Sequence, residues 1–298
     1  MNLSQYINAT VAKSDDEFVR QIRNVLKRYK EFFDKNSNRH KWKFTPTDVL
    51  GEILKNETSL KPNETPYNFY RLNKLYHDDI ESDIKGLQQV YIFRVNALLE
   101  SCINLVNKKD YLSAGIIARS LVELCAVSLH HAAMVEGNYK VFAEKLPDRA
   151  LTTRITDLSY VREILERGIW GSRLPDIVDR NKGIKQFHVM KILKKIADKE
   201  KVKYLEPMYD FLCEATHPNL MGNFQFISTP NGADFTNPIN IIIDKHQSGD
   251  ASSELLEKTL GAISWSAIAV SGMHGHFQGA LDIKKEIFLD HTDKGTLH

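Results

Sequence analysis

A chain of 298 residues with 42% hydrophobic and 26% charged side chains has the composition of an ordinary globular protein, which argues against a disordered or low-complexity chain. Its 40 Lys and Arg side chains are balanced by 38 Asp and Glu, so the net charge of +2 gives no overall attraction to nucleic acid or to an anionic membrane. The three cysteines are far apart, which disfavours a disulfide framework and favours a reducing compartment. No secretory signal is visible in Met1–Lys13, and we expect a cytoplasmic protein.

The N-terminal region, residues 1–62, is predicted to be a helical arm or subdomain. Ser14 is followed by three acidic residues, a typical helix start, and apolar residues then recur at helical spacing to about Asp34. A shorter helix is expected at Thr47–Lys55, between polar connections.

The rest of the chain, residues 63–290, is predicted to form a helical bundle domain. Pro66–Lys108 keeps the helical period of apolar residues and is expected to form one long helix or two. Asp110 then opens another helix. Its segment Tyr111–Val135 is apolar on almost every side and holds only two charged side chains, so we expect it in the interior.

Shorter helices are predicted downstream, separated by Gly or Pro signals. They are expected at Tyr139–Lys145, Thr152–Arg167, Gln186–Lys199 and Tyr204–Thr216. Two β-branched and aromatic runs flank Thr229–Gly232 and predict a small β-hairpin insertion at about residues 223–244. The predicted fold class is therefore all-α, a helical bundle with a β-hairpin near its C-terminal third.

The last helix is expected to begin at Ser252 or Ser253, and it carries no Lys, Arg, Asp or Glu over Thr259–Ala280. A surface helix does not have this composition, so we predict either the central core helix or half of a homodimer interface. Its longest weakly polar run, Leu260–Met273, is shorter than the roughly 20 residues needed to cross a bilayer, and we expect no membrane association. Residues 291–298 are expected to form a flexible tail.

A pair of opposite charges is the feature most informative about function. Arg119 and Glu123 are four residues apart, which places both on one face of an otherwise apolar helix. An unpaired charge there is costly, and Arg before Glu is the weaker orientation, so each side chain is expected to reach another helix as well. Two interpretations stay open: an interior ion pair that fixes helix register, or an arginine that holds an anion beside an orienting glutamate.

A second feature is Tyr209–Asn219, in which a proline ends a predicted helix. Tyr209, Cys213 and either Thr216 or His217 share one face of that helix. A helix C-terminus favours a protonated imidazole, so His217 is either a capping histidine or a general acid or base.

Signatures of phosphate-binding loops, dinucleotide folds, serine hydrolases and zinc sites are missing from the sequence. Glu214 and His217 have the spacing of a metal-binding pair, but no second such pair exists. His274 and His276 are two residues apart and lie on different helix faces, so they are interpreted as packing residues. We predict neither a cofactor nor a metal.

Two elements, in this order, carry a resemblance to known proteins. Ala118–Glu123 has the sequence ARSLVE, and Tyr209–Asn219, about 90 residues later, has the sequence YDFLCEATHPN. Over roughly Tyr91–His276 the chain resembles a group of uncharacterised bacterial helical proteins with recurring A-R-S-L-x-E and Y-x-x-L-x-x-x-x-H-P-N elements. Some of these look similar to the HEPN helical superfamily, whose dimeric bundles cleave RNA or serve as abortive-infection, toxin and antiphage effectors.

The chain departs from the HEPN ribonuclease pattern, in which an Arg precedes a His by a short spacing. The one match here, Arg71 to His77, lies outside the elements that carry the resemblance, and one match is expected by chance. Our hypothesis is instead that Arg119 and His217 fill the same roles from separate helices.

The resemblance implies a HEPN-like defence or stress protein that acts on RNA, with metal-independent cleavage. In it, Arg119 binds phosphate, His217 is the general acid or base, Glu123 orients Arg119, and Tyr209 helps to position the site. The alternative is a noncatalytic helical module that binds a protein or small ligand, such as a regulator or a phage-encoded inhibitor, with the same residues as a structural polar core. The expected assembly is a homodimer through the last helix, with RNA or a protein as further partner.

Overall fold

In a computed structural model, the described part of the chain contains eight α-helices, which confirms the predicted all-α helical bundle. The structure describes residues 17–38, 41–43, 45, 65–147, 149–171, 187–217, 227–228, 242–243 and 250–292. The helices are α1 (Glu17–Asn36), α2 (Thr65–Asn107), α3 (Tyr111–Glu144), α4 (Ala150–Thr153), α5 (Ser159–Trp170), α6 (Val189–Glu200), α7 (Leu205–Thr216) and α8 (Asp250–Thr292).

Two short antiparallel strands lie between α7 and α8 in the chain. They are β1 (Ile227–Ser228) and β2 (Ile242–Ile243), with Ile227 opposite Ile243. The residues between the strands lie outside the described part of the chain. The turn of the predicted hairpin therefore stays a prediction.

Several other predictions also fall outside the described residues. The helix expected at Thr47–Lys55 is one, and the boundary between an arm ending at residue 62 and a bundle beginning at residue 63 is another. Of the tail expected at 291–298, the structure describes only two residues, which end α8.

Contacts divide the chain into two compact units, each drawn from three stretches. The first unit comprises residues 1–37, 92–127 and 188–271, and the second comprises residues 38–91, 128–187 and 272–298. The first unit therefore holds α1, α6 and α7, and the second holds α4 and α5. The long helices α2, α3 and α8 contribute residues to both.

In the first unit, α1 folds as an amphipathic helix. Its buried residues, Val19, Ile22, Leu26 and Tyr29, are three or four positions apart and form one apolar stripe. The stripe supplies most of the stability of such a helix, because helices in proteins are stabilised mainly by packing of their apolar face. At its end the ring of Phe33 packs edge-on against a ring of α2, with the centroids 6.4 Å apart.

The second unit contains a buried arginine surrounded by acidic groups. Arg162 of α5 is 2% exposed, and its guanidinium bonds Asp79 at 2.5 Å and the carbonyl oxygen of Thr45. It also lies 4.0 Å from the buried carboxylate of Asp83, which accepts a hydrogen bond of 3.0 Å from the indole of Trp42. These bonds connect Trp42 to α2 and Thr45 to α5.

Helix α3 does not end at Gly137, so the separate helix predicted at Tyr139–Lys145 is wrong. The helix continues to Glu144. A single glycine costs a helix only about 1 kcal/mol. Val135 and Tyr139 are buried on either side of Gly137, and their packing outweighs that cost.

The single helix predicted at Thr152–Arg167 is also wrong, because the chain turns between α4 and α5. The cause is the buried side chain of Asn73 on α2. The side-chain NH2 of Asn73 donates to the carbonyl oxygens of Leu151 at 2.9 Å and Arg154 at 2.8 Å. The side-chain oxygen of Asn73 accepts from Thr156 twice, from the backbone N–H at 2.8 Å and from the hydroxyl at 2.9 Å. These bonds occupy backbone groups that a continuous helix would pair internally.

Among the described residues, one helix, α3, is long and apolar enough to cross a membrane. Half of its most apolar window is buried inside the protein. Because the core helix of a globular protein meets the same criteria, this property is weak evidence for a membrane span.

Candidate functional site

The two charges singled out on α3 form an ion pair at the surface of the first unit. The Nε of Arg119 donates to Oε1 of Glu123 over 3.2 Å, and each side chain is 32% exposed. Ile116 and Ser120, on the same side of α3, are exposed as well. The pair is thus half-buried, and this side of α3 is not in the interior as the composition of the helix predicted.

Both members of the pair also contact α7. The hydroxyl of Tyr209 donates to Oε1 of Glu123 over 2.6 Å, and NH1 of Arg119 lies 3.4 Å from Oγ1 of Thr216, at the limit of a hydrogen bond. Thr216 is held in turn, because its hydroxyl donates to the carbonyl oxygen of Cys213 over 3.2 Å. Arg119, Glu123, Tyr209 and Thr216 are called the arginine cluster below.

Two groups of the arginine cluster, Arg119 and Tyr209, each keep one protonation state near neutral pH. Burial, followed by the hydrogen bond to Glu123, raises the pKa of Tyr209, so its hydroxyl stays a neutral donor. Burial opposes the charged form of Arg119, but contact with Tyr209 and the charges of Cys213 and Glu123 outweigh it and raise its pKa. The arginine therefore remains a fixed cation.

The fourth predicted residue, His217, is not part of this hydrogen-bond network. It follows the last residue of α7 with extended backbone angles, and its N–H donates to the carbonyl oxygen of Cys213 over 3.1 Å. Its imidazole is exposed and makes no hydrogen bond with the described residues. The structure thus brings Arg119, Glu123 and Tyr209 together. His217 follows Thr216 of the cluster in the sequence but is not bonded into it.

The threonine of the cluster could have been chosen from the sequence. Two full helical turns after Tyr209 end between Thr216 and His217, so either residue could lie on the face of α7 that carries Tyr209. The proline after His217 disfavours helical angles for the residue before it, and this leaves the threonine as the last helical residue. That signal favours Thr216 as the partner of Arg119.

A carboxylate–imidazole pair in the second unit was missed. Oε2 of Glu136 lies 2.5 Å from Nδ1 of His276, and each side chain is one third exposed. A Cβ at Gly279 would lie 2.2 Å from the carboxylate, so the absence of a side chain there makes room for Glu136. The neighbouring His274 instead contacts Gln88 of α2, in keeping with two histidines on different helix faces.

No group of three or more His, Cys, Asp or Glu side chains that could hold a metal ion occurs in the part of the chain that the structure describes. Comparison with known proteins adds no assignment: no family model, curated protein or solved structure gives a significant match to this chain. The likeness to HEPN proteins therefore stays a prediction.

Proposed function

We propose that this chain is a HEPN-like helical defence or stress protein that binds RNA at the arginine cluster and cleaves it without a metal ion. The observation that supports this proposal is the state of Arg119, which is anchored from two helices while a third of its side chain remains open to solvent. A guanidinium has five N–H donors, and its partners in the cluster leave donors for a phosphate oxygen.

In this proposal each residue has a separate task. Arg119 binds the phosphate and neutralises the charge that develops on it, while Glu123 and Tyr209 hold the guanidinium in position. His217 exchanges the proton of the reaction, in which the 2′-oxygen forms a bond to phosphorus and the bond to the 5′-oxygen breaks. The products are a 2′,3′-cyclic phosphate and a free 5′-hydroxyl.

The proposal includes a cytoplasmic homodimer that contacts itself through α8. Ile268, within the uncharged part of this helix, is 57% exposed, which suits an apolar contact better than a solvated surface. Light scattering from the purified chain measures its mass directly. A monomeric mass at micromolar concentration would contradict this part of the proposal.

The alternative is a noncatalytic helical module that binds a protein or a small ligand, such as a regulator or a phage-encoded inhibitor. One observation favours it: Arg119, Glu123 and Tyr209 form one hydrogen-bond network, whereas the imidazole of His217 makes no hydrogen bond with them. In this alternative the arginine cluster is a structural contact that joins α3 to α7.

Cleavage of a labelled single-stranded RNA in the presence of EDTA separates the two proposals. We expect His217→Ala to lower the cleavage rate by about 100-fold or more, as is typical for loss of a general acid or base, with little change in melting temperature. His188→Ala is the matched control, because His188 is an exposed histidine next to a helix end in the same unit.

Substitutions of the arginine complete the experiment. Arg119→Lys keeps the charge but loses the planar donor fork, so we expect weaker RNA cleavage than in the wild type. Arg94→Ala removes an exposed arginine from the same unit and should change nothing. Failure of the wild type to cleave RNA, or a large loss of stability in His217→Ala, would instead support the noncatalytic module.

A further inference from the structure

Helix α6 and the residues that follow it are the basis for a second proposal about the first unit. From His188 to Tyr204 the chain has six lysines against two acidic residues, a net charge of +4, although the whole chain carries only +2. Positive charge is therefore concentrated in this segment, although the whole chain is nearly neutral.

Within α6 the lysines occupy one side of an amphipathic helix, and Lys201 and Lys203 follow the end of that helix. Ile192, Leu193 and Ile196 are buried, whereas the lysines are all exposed. Five of them define the lysine face: Lys191, Lys194, Lys195, Lys201 and Lys203.

The lysine face lacks the acidic partners that two other lysines of the described helices have. Lys30 pairs with Asp34, and Lys85 pairs with Glu81, each within its own helix. None of the five lysines pairs with a carboxylate among the described residues. Like charges three and four residues apart repel one another and weaken the helix. This arrangement suits a polyanion that neutralises several lysines together.

Two exposed aromatic rings lie at a cavity next to this face. Tyr204, directly after Lys203, is 54% exposed, and Phe18 of α1 is 39% exposed. Both rings line a cavity of about 360 Å³, which is also lined by the amide of Gln21 and the carboxylate of Glu257. Aromatic walls with a few hydrogen-bonding groups are suited to an unstacked nucleobase.

We propose that the lysine face binds the phosphates of single-stranded RNA and that the cavity beside Tyr204 accepts one of its bases. The choice of RNA as the polyanion rests on the function proposed above. The lysines indicate the surface that binds it, and the cavity indicates a single strand. A duplex would keep its bases stacked and could not fill the cavity.

Binding of a fluorescent single-stranded oligonucleotide of uridines, measured by anisotropy at several salt concentrations, tests the lysine face. We expect Lys191→Gln combined with Lys195→Gln to weaken binding at least 10-fold. If each lysine contacts one phosphate, the slope of log K against log salt should become shallower by about 1.4, since each contact to a single strand contributes about 0.7.

The matched control removes the same charge from the second unit, with Lys74→Gln combined with Lys140→Gln, both exposed positions on long helices. Equal losses of affinity in the two double variants would overturn the lysine face and show only a nonspecific effect of net charge. The lysine face would also be overturned as an RNA site if Lys191→Gln combined with Lys195→Gln lost binding to phosphatidylserine vesicles but still bound RNA normally.

Tyr204 gives a separate test of the cavity. We expect Tyr204→Ala to weaken single-strand binding about 10-fold and Tyr204→Phe to restore it, because stacking needs the ring and not the hydroxyl. Equal affinity for a duplex of the same length would overturn the base-binding cavity.

The two proposals fail in different ways. If the wild type binds RNA through the lysine face but never cleaves it, the catalytic function is wrong and the binding surface stands. If His217→Ala abolishes cleavage while the lysine variants bind normally, the function stands and the lysine face is wrong.

Discussion

At the scale of single residues, the buried carboxamide of Asn73 directs the path of the chain. Three of its four hydrogen bonds satisfy backbone groups around the turn between α4 and α5, and the fourth comes from the hydroxyl of Thr156. No exposed group could do this, since water would compete for each bond. One side chain on α2 thereby determines where two other helices end and begin.

We expect Asn73→Ala to lower the free energy of unfolding by about 3 kcal/mol, because it leaves buried carbonyl and N–H groups without partners. Urea denaturation measures the change. Asn138→Ala is the control: among the described residues, the Asn138 side chain bonds a single group, the carbonyl oxygen of Met134 in its own helix, and its loss should cost less than about 1 kcal/mol. Similar losses in the two variants would contradict the role given to Asn73.

The residues of the arginine cluster show how far sequence reasoning can predict a site. The four-residue spacing placed Arg119 and Glu123 on one helix face, and the rule that half-buried charges need partners pointed to a second helix. Tyr209, the first residue of the Y-x-x-L-x-x-x-x-H-P-N element, is that partner for Glu123. Which side of α3 faces solvent was not predictable, because it depends on neighbours that are distant in sequence.

At the scale of elements, the helical spacing of apolar residues predicted the long helices well. Gly and Pro residues predicted the breaks between helices poorly. The unbroken apolar period of Pro66–Lys108 predicted one long helix or two, and α2 is one helix whose ends lie within one residue of those bounds. Glycine and proline signals predicted a break at Gly137 that packing overrides. The turn after α4 has no local signal, since its cause is a residue about 80 positions earlier in the chain.

One lysine links α8 to α2 in the second unit. Lys284 bonds the carboxylates of Asp78 and Glu81. Its own burial disfavours the ammonium, but the two acidic partners outweigh that effect and raise its pKa. The side chain is therefore a charged clamp between the two helices.

We expect Lys284→Ala to lower the free energy of unfolding by about 2 kcal/mol, because Asp78 loses its lysine partner and Glu81 keeps only Lys85 among the described residues. Lys285→Ala is the matched control: the Lys285 side chain is well exposed and pairs, among the described residues, with Asp282 alone, so the expected change is below about 0.5 kcal/mol. Circular dichroism during urea unfolding measures the free energy of unfolding of both variants. A neutral result for Lys284→Ala would show that the clamp contributes nothing to stability.

At the scale of the whole molecule, buried titratable groups in the second unit make stability depend on pH. Burial lowers the pKa of His77 to about 3 and that of His131 to about 4, from an ordinary 6.5. Burial also raises the pKa of Asp83 from 3.8 to about 6. The histidines and the aspartate act in opposite directions on acidification.

As the pH falls below 6.5, the unfolded chain protonates both histidines while the folded chain does not, so stability is lost progressively toward pH 4. Asp83 takes up its proton first in the folded state, and this offsets part of the loss between pH 6 and 4. We expect a net loss on the order of 3 kcal/mol between pH 6.5 and 4, measured by urea denaturation at each pH.

Two variants separate the contributions to this pH dependence. His77→Phe should make the fall shallower, because it removes one group that the unfolded chain protonates. Asp83→Asn keeps an acceptor for Trp42 but removes the compensating proton uptake, so it should make the fall steeper. The opposite order of slopes would contradict the burial of these groups.

The distribution of cysteines has a practical consequence for work on the arginine cluster. Cys102 and Cys125 are fully enclosed, whereas Cys213 is half-buried beside Tyr209. A maleimide dye should therefore attach at one position without any engineered cysteine. Because burial raises the pKa of Cys213, mildly alkaline buffer speeds this labelling, and the dye's emission then reports whether an oligonucleotide occupies the neighbouring helix end.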